Sequence, residues 1–317
     1  MKHVVLVIPV HNEEGNIRVL INAIQAVFQP LPYTYNLIFV DDGSKDNSLE
    51  IIRMIALNDE RVKFISFSRN FGHQNALKAG LDMAEGDCAV SLDADMQHPP
   101  DLIPLMLKKW EEGFDVVYTI RRDTTDVSYI KKKTSHLFYQ ILNYLSNIDF
   151  EKGTPDFRLI SKAVLTVLKN LSEYQIFLRG LVKWMGFKQI AIEYNQQSRL
   201  SGSSKYTFKK MAAFALQGIT AFSIRPLYVA AYLGFSISFL SLLYIPYVIY
   251  SYYFGYAVSG WASVIVTIAF FGGLQLTILG IIGIYLGKLF MQSKQRPQYI
   301  IKETNLYEKQ GQSAAKF

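Results

Sequence analysis

Cysteine is almost absent from this 317-residue sequence, in which Cys88 is the only one. A single cysteine excludes an internal disulfide and any metal site built from several thiolates. Cys88 lies within the apolar run 88–92, so we expect a small buried side chain there rather than a reactive thiol.

Charged residues are absent from one long stretch. Residues 226–287 contain no Asp, Glu, Lys or Arg, which is room for two spans of the ~20 apolar residues that cross a bilayer. We predict transmembrane helices near 227–250 and 261–287, joined by an uncharged loop. Basic residues flank the stretch on the side shared by both termini, and the positive-inside rule makes that side cytoplasmic. We therefore expect a multi-pass protein of the cytoplasmic membrane, with its N-terminal domain and both termini in the cytoplasm.

The net charge of +7 is not spread evenly. Two of the three basic clusters, at 209–225 and 288–296, border the apolar stretch, and the third is Lys131 to Lys133. This distribution favours an anionic membrane surface over nucleic acid as the partner.

The first 225 residues alternate short β-rich runs with helix-length amphipathic ones. This order predicts an α/β fold with a mostly parallel sheet and helices on both faces. We divide the chain into a cytoplasmic domain (1–204), a juxtamembrane amphipathic helix (205–225), a two-helix anchor (226–288) and a tail (289–317) that is mobile after Arg296. A further basic amphipathic helix is expected at 127–145, in the membrane interface. The predicted strands are 4–10, 37–40, 62–67, 88–92 and 116–120, and the predicted helices are 14–27, 47–57, 75–84 and 101–110.

Polar clusters follow four of the predicted strands. They are residues 11–14, 41–44, 68–70 and 93–95. Ligands of such sheets bind at the carboxyl ends of the strands. The coincidence of four clusters at equivalent positions therefore predicts one shared site.

Asp93 and Asp95 are the sharpest chemical signal in the sequence. Alternate residues of an extended chain face the same way, so both carboxylates are expected in one pocket. Two such charges favour a bound cation, and Mg²⁺ or Mn²⁺ prefers oxygen ligands and is commonly shared with substrate phosphates. Gln97 continues the spacing and adds another oxygen. A solvated acidic turn is the alternative for this triplet alone.

Five motifs follow one another along the chain. The first three are Ile-Pro-Val-His-Asn-Glu at 8–13, Val-Asp-Asp-Gly-Ser-Lys-Asp at 40–46 and Asp-Ala-Asp-Met-Gln at 93–97; the last two are Asp-Phe-Arg-Leu at 156–159 and Arg-Leu-Ser-Gly-Ser-Ser-Lys-Tyr at 199–206. The first three resemble glycosyltransferase family 2, with its GT-A (Rossmann-like) fold. The last two resemble the polyisoprenyl-phosphate glycosyltransferases of that family, which include bacterial bactoprenol-phosphate glucosyltransferases and dolichol-phosphate mannose synthase. Against the family pattern, His11 replaces a tyrosine and Ser203 a glutamate.

The resemblance implies roles for individual residues. The nucleotide-sugar donor would be bound by Pro9, Glu13, Asp41, Asp42, Asp93, Arg199 and Lys205, and the metal by Asp93, Asp95 and Gln97. Arg199 and Lys205 would close over the diphosphate, where fixed cations stabilise the departing charge; an ordinary surface loop is the alternative for both. Asp95, Arg199 and Asp156 would be catalytic, with Asp156 as base, as an anchor for the sugar or as a partner of Arg158.

The acceptor implied by the resemblance is polyprenyl phosphate. Arg121, Lys131, Lys132 and Ser135 are candidates for its phosphate, because Arg binds phosphate in a bidentate manner and Lys as a point charge. Attraction to anionic headgroups is an equally good account of the lysines.

The implied activity is inverting, metal-dependent transfer of a hexose to the lipid phosphate, with UDP-glucose as the expected donor. GDP-mannose, UDP-N-acetylglucosamine and a modified arabinose stay open, as does self-association. A processive polysaccharide synthase is disfavoured because no tryptophan lies in a Gln-x-x-Arg-Trp motif. A membrane scaffold or transporter subunit is disfavoured because the spans hold no ionisable acid or base of the kind that marks transport pathways. We expect His73, His98 and His136 to be packed or solvated.

Overall fold

The computed structural model describes residues 1–122, 154–173, 176–195, 223–254 and 260–306. Strands and helices alternate through the first of these segments, as the periodicity predicts, and the observed elements differ from the predicted ones by a few residues at their ends. They are β1 (His3–Val10), α1 (Ile17–Phe28), β2 (Thr34–Asp41), α2 (Ser48–Asn58), β3 (Val62–Phe67), α3 (His73–Asp82), β4 (Cys88–Ser91), a 3₁₀ turn (Pro100–Leu102), α4 (Ile103–Glu111) and β5 (Val116–Arg121).

Further elements follow; the two long helices among them correspond to the helices predicted near 227–250 and 261–287, whereas the others were not predicted individually. Two short strands and two short helices complete the domain, and two long helices and a last strand follow. They are β6 (Arg158–Ser161), α5 (Lys162–Lys169), α6 (Leu178–Trp184), β7 (Gln189–Tyr194), α7 (Arg225–Tyr253), α8 (Trp261–Ser293) and β8 (Ile301–Thr304).

The sheet has eight strands in the order β7-β5-β6-β4-β1-β2-β3-β8. Its centre is parallel, as predicted: β1 pairs with β2 and β4, and β2 pairs with β3. The sheet as a whole is mixed, because β6 runs antiparallel to β4 and β5, and β8 runs antiparallel to β3. The carboxyl ends of β1, β2, β3 and β4 meet at one edge, where the predicted polar clusters lie.

The core lies on both faces of this sheet, which confirms the prediction of helices on both sides. Successive residues of β1 alternate between faces: Leu6 packs with α1, α2 and α4, whereas Val7 packs with α3, α5 and α6. Leu6 and Val7 are both fully buried. Cys88 is also buried, as expected, and burial raises the pKa of its thiol to about 12.

Two long helices, α7 and α8, occupy the region where two membrane spans were predicted. Within the described residues, one segment has the length and hydropathy of a spanning helix: Phe270–Ser293 of α8, with 24 residues and a mean hydropathy of 1.7. Large apolar side chains on both helices face outward, among them Phe235 at 76% and Leu276 at 70% exposure. On these criteria the described segments therefore contain one candidate membrane helix, and the second predicted span is not confirmed.

The expectation that the chain is mobile after Arg296 is wrong for residues 298–306. After α8 the chain returns to the domain and adds β8 to the free edge of β3. The Tyr299 ring stacks on Phe67, with 5.2 Å between ring centroids. Asn305 extends the ladder with its side chain, accepting from the Phe64 N–H at 2.8 Å. An unpaired strand edge and apolar surface on Phe67 favour this return, and a polar composition alone does not reveal them.

Candidate active site

The polar clusters after β1 and β2 interlock through backbone and side-chain hydrogen bonds. The His11 ring donates from Nδ1 to the Asp42 carbonyl oxygen at 2.9 Å. The Asn12 N–H donates to Ser44 Oγ at 3.0 Å, and the Lys45 N–H donates to Asn12 Oδ1 at 2.8 Å. The two loops are therefore joined by hydrogen bonds into one unit at the edge of the sheet.

Asp41 and Asp42, which we call the aspartate pair, are buried at the end of β2. Asp41 accepts from the Ser44 N–H at 3.1 Å and from Ser66 Oγ at 3.0 Å. Asp42 accepts from the N–H groups of Phe71 at 2.6 Å and Gly72 at 3.0 Å. Burial raises the pKa of Asp42, more than these two hydrogen bonds lower it.

Gly43 permits the close approach of the loop after β3. Its φ is +65°, and a Cβ there would lie 2.7 Å from the Arg69 carbonyl carbon and from the Asn70 nitrogen. Only glycine fits without backbone movement. The aspartate pair is thereby brought against residues 69–72.

The other residues predicted for the nucleoside pocket lie beside this pair. Pro9 is buried in β1 opposite Val40 of β2. The Glu13 N–H donates to Ser48 Oγ at 2.9 Å, and its carboxylate accepts from Asn16 Nδ2 at 2.6 Å. The structure thus brings four of the residues predicted to bind the nucleotide-sugar donor together around the ends of β1 and β2.

The predicted metal-binding loop follows β4 at the same edge. Asp95 accepts from the Gln97 N–H at 3.2 Å, and between them Met96 has φ +60°, a left-handed backbone that is uncommon for a residue with a side chain. The Oδ1 atom of Asp93 is buried and has no hydrogen-bond partner in the described part of the chain. Across the segments that the structure covers, no three His, Cys, Asp or Glu side chains group as metal ligands, so the metal site stays a prediction.

Tyr194 lies near both carboxylates of this loop. Burial raises its pKa, the charges of Asp93 and Asp95 raise it further, and Arg121 lowers it. Arg121 and Tyr194 are paired in register at the ends of β5 and β7. The Arg121 Nε is buried and, among the residues described, lacks a hydrogen-bond partner. One predicted acceptor-phosphate residue thus lies near the predicted metal loop.

Asp156 lies at the centre of a charged cluster that we define as Asp93, Asp156, His73, Arg158 and Arg179. Its carboxylate is 8% exposed, 3.2 Å from Arg179 Nε and 3.8 Å from Arg158 Nη2. The Gln74 side chain donates to Asp156 Oδ2 at 2.8 Å. Burial would raise the pKa of Asp156, but Arg179, His73 and Arg158 outweigh it and hold that pKa well below its usual range.

His73, which we expected to be packed or solvated, is exposed but also contacts two carboxylates. Its Nε2 lies 3.5 Å from Asp93 Oδ1 and 3.6 Å from Asp156 Oδ2, at the first turn of α3. Burial would lower its pKa, but the two carboxylates raise it to about 9. The ring therefore carries a positive charge between the acids at neutral pH. It also joins the two halves of the site, since the N–H of the preceding Gly72 binds Asp42.

His98, by contrast, is packed as expected. It is 2% exposed, and its ring stacks on Phe157 with 5.2 Å between centroids. The other predicted residues, namely Arg199, Lys205, Lys131, Lys132, Ser135 and His136, lie outside the described residues.

Arg179 and Gln74 were missed by the sequence reading. The position of Gln74 could have indicated it, because Gln74 follows the polar cluster 68–70 at the end of β3 and lies at the start of α3. Arg179 carries no comparable signal, because it reaches Asp156 from α6, a short helix whose packing is set by tertiary contacts.

Comparison with known proteins places these motifs in a family. The family model for glycosyl transferase family 2 matches residues 5–168. An uncharacterised glycosyltransferase of Bacillus subtilis, YkcC, is 44% identical over 94% of this chain and 93% of its own length. A bactoprenol glucosyl transferase of Shigella phage SfV is 40% identical over 94% of this chain and 97% of its own. A prophage bactoprenol glucosyl transferase homolog of Escherichia coli K12 is 38% identical over the same shares of both chains. The resemblance read from the motifs is thus confirmed, and the chain is a glycosyltransferase that belongs to family 2.

Proposed function

We propose that this enzyme transfers a hexose from a nucleotide sugar to polyprenyl phosphate with inversion at the anomeric carbon, and that the donor is UDP-glucose. The observation that carries the proposal is the meeting of the aspartate pair, the Asp93–Gln97 loop and Asp156 at one edge of the sheet. The named activity of relatives that match nearly the whole chain supports the lipid acceptor and the glucosyl group.

The donor's nucleoside would lie against Pro9, Glu13 and the aspartate pair. Carboxylates at this position accept from base N–H groups and ribose hydroxyls. Arg199 and Lys205 would close over the diphosphate and stabilise the charge that develops as it leaves.

A divalent cation, Mg²⁺ or Mn²⁺, would be held by Asp93, Asp95 and Gln97. The donor set fits: all three supply oxygen, the ligand atom that these ions prefer, and Asp93 Oδ1 is buried without a hydrogen-bond partner in the described residues. Two carboxylates and one amide leave positions for diphosphate oxygens. When bound, the ion would offset the negative charge on the departing nucleoside diphosphate.

Chemistry at the acceptor needs no strong base. A phosphate monoester has its second pKa near 6, so the lipid phosphate is largely a dianion at neutral pH. One of its oxygens attacks the anomeric carbon as the bond to the diphosphate breaks, and no proton is transferred. Arg121, with Lys131, Lys132 and Ser135, would hold this phosphate.

Asp156 fits a role in orientation better than a role as base. Both of its oxygens face cations or an amide donor, and its lowered pKa makes it a weak proton acceptor. We assign it to fixing Arg179 and His73 beside the transferred sugar.

Both α7 and α8 would span the cytoplasmic membrane, with the catalytic domain and both termini in the cytoplasm. Their outward-facing apolar side chains support this arrangement. The active site would then lie near the headgroups, so that the polyprenyl chain stays in the bilayer during transfer.

The test is a screen of nucleotide sugars against polyprenyl phosphate with the full chain in detergent. It compares UDP-glucose, UDP-N-acetylglucosamine and GDP-mannose, each with Mg²⁺, Mn²⁺ or a chelator. We expect a single sugar on the lipid phosphate, from UDP-glucose, only with the metal. Transfer from another donor would correct the sugar, a polymeric product would favour a polysaccharide synthase, and no nucleotide affinity would favour a scaffold.

A further inference from the structure

His98 connects the predicted metal loop to Asp156. The ring is buried at 2% exposure and lies directly after Gln97. Its Nδ1 accepts from the backbone N–H of Asp93 at 3.2 Å. Its face stacks on Phe157, the residue after Asp156, with an interplanar angle of 13°.

This hydrogen bond determines which ring nitrogen of His98 is the acceptor. A backbone N–H only donates, so Nδ1 must present its lone pair and the proton lies on Nε2. The Asp93 N–H would otherwise lack this partner in a partly buried loop, and a buried donor left unsatisfied is destabilising. The loop between Asp93 and His98 also contains the left-handed Met96, a conformation that persists only when its surroundings hold it.

The packing around the ring is equally well determined. Phe157 is fully buried, and its carbonyl oxygen accepts from Thr119 Oγ1 of β5 at 3.0 Å. Tyr194 approaches the His98 ring edge-on, with 6.4 Å between centroids. The imidazole therefore packs against Phe157, which directly precedes β6, and Tyr194 of β7, while its Nδ1 binds the backbone of the metal loop.

We propose that His98 is a positioning residue that sets the Asp93 carboxylate for cation binding through its Nδ1 acceptor and holds this loop in register with Asp156. The inference rests on the proposed function only in assuming that Asp93 and Asp95 bind a divalent ion. Residues that orient ligands in this way typically change metal affinity by about 10–100-fold when replaced.

Two substitutions separate the contribution of the Nδ1 acceptor from that of the stacked aromatic ring. His98→Phe keeps an aromatic ring against Phe157 but removes the acceptor. His98→Asn carries an oxygen close to the Nδ1 position but removes the stacking. The measurement is binding of Mn²⁺ alone to the full chain in detergent, followed by electron paramagnetic resonance, with the thermal unfolding temperature recorded for each variant.

We expect His98→Phe to weaken Mn²⁺ binding by about 10–100-fold with little change in unfolding temperature. We expect His98→Asn to bind Mn²⁺ within about threefold of the wild type although its unfolding temperature falls. Wild-type affinity in His98→Phe would overturn the proposal, and so would a loss of more than tenfold in a folded His98→Asn. If His98→Phe fails to fold, the Mn²⁺ affinity of His98→Asn decides whether the proposal stands.

Failure of the proposal for His98 can be distinguished from failure of the proposed function. If the wild type binds Mn²⁺ but transfers no sugar to polyprenyl phosphate, the reaction is wrong and the role of His98 is still measured. If the wild type binds no Mn²⁺ and transfers sugar in chelator, the role of His98 is overturned and the reaction stands.

Discussion

The aspartate pair and the charged cluster lie at the same sheet edge, but their carboxylates are held by different kinds of partner. Asp41 and Asp42 accept short hydrogen bonds from backbone N–H groups and a serine hydroxyl. In the charged cluster, Asp93 and Asp156 face ionic side chains, and His73 lies 3.5–3.6 Å from both.

This difference indicates which part of the site is complete before substrate arrives. The aspartate pair is fixed by neutral donors within the protein, so its geometry does not depend on a ligand. The charged cluster contains buried atoms without hydrogen-bond partners in the described residues, among them Asp93 Oδ1 and Arg158 Nε. Preorganised groups of this kind can stabilise charge that develops during a reaction. We infer a preformed nucleoside end and a sugar-phosphate end that substrate and cation complete.

Removing a carboxylate from the predicted metal loop, beside the charged cluster, should have the largest effect. We expect Asp95→Ala to abolish sugar transfer, by at least about 1000-fold, because several kcal/mol of charge stabilisation is lost with the cation. The measurement is transfer to polyprenyl phosphate at saturating donor. Asp101→Ala removes an exposed carboxylate on the following 3₁₀ turn and should leave the rate unchanged. A fully active Asp95→Ala enzyme would remove the metal role of this residue.

A substitution at the preformed end should have an intermediate effect on binding rather than on the chemical step. Asp42→Asn places an amide group against the N–H donors of Phe71 and Gly72 and should loosen that loop. We expect UDP affinity to fall about tenfold, equivalent to about 1.4 kcal/mol, with a much smaller change in kcat. Calorimetric titration of UDP checks this, and Glu60→Gln, which removes a charge at an exposed position, is the matched control. A collapse of kcat with unchanged UDP affinity would contradict a preformed nucleoside end.

The preformed end was largely predictable from the sequence. Its residues come directly after strands with clear apolar patterning, and parallel order brings those strand ends together. The ladder between Val10 and Asp41 is the direct result.

The charged cluster was predictable only in part, because its cations come from distant elements. Asp93 and Asp156 belong to motifs, but Arg179 reaches Asp156 from α6, and its contact has no local signature. The helix α3 begins at His73, two residues before the predicted start, which is why His73 and Gln74 were not expected at the edge. The strands β6 and β8 have four residues each, too few for periodicity to separate them from loop.

The smallest effect should come from the strap that β8 forms beside the preformed end. Arg53 of α2 forms a bidentate pair with Glu303 of β8, in which Arg53 Nε donates to Oε1 at 3.1 Å and Nη2 donates to Oε2. Both side chains are more than a third exposed, and exposed pairs contribute about 0.2–1 kcal/mol. Because β3 leads into the loop that binds Asp42, Glu303→Arg should lower the thermal unfolding temperature by about 1–3 °C and weaken UDP binding less than twofold.

The charge-reversed double variant makes this small effect interpretable. Arg53→Glu alone should destabilise more, because it also loses the pair with Glu50 and sets a like charge beside it. Arg53→Glu combined with Glu303→Arg should recover the part of the loss that belongs to the pair with Glu303, because that pair is restored with its charges exchanged. Unfolding temperatures that simply add in the double variant would show that the two side chains do not interact. In that case the strap would be held by its other contacts, among them the β3 ladder, Tyr299 and Asn305.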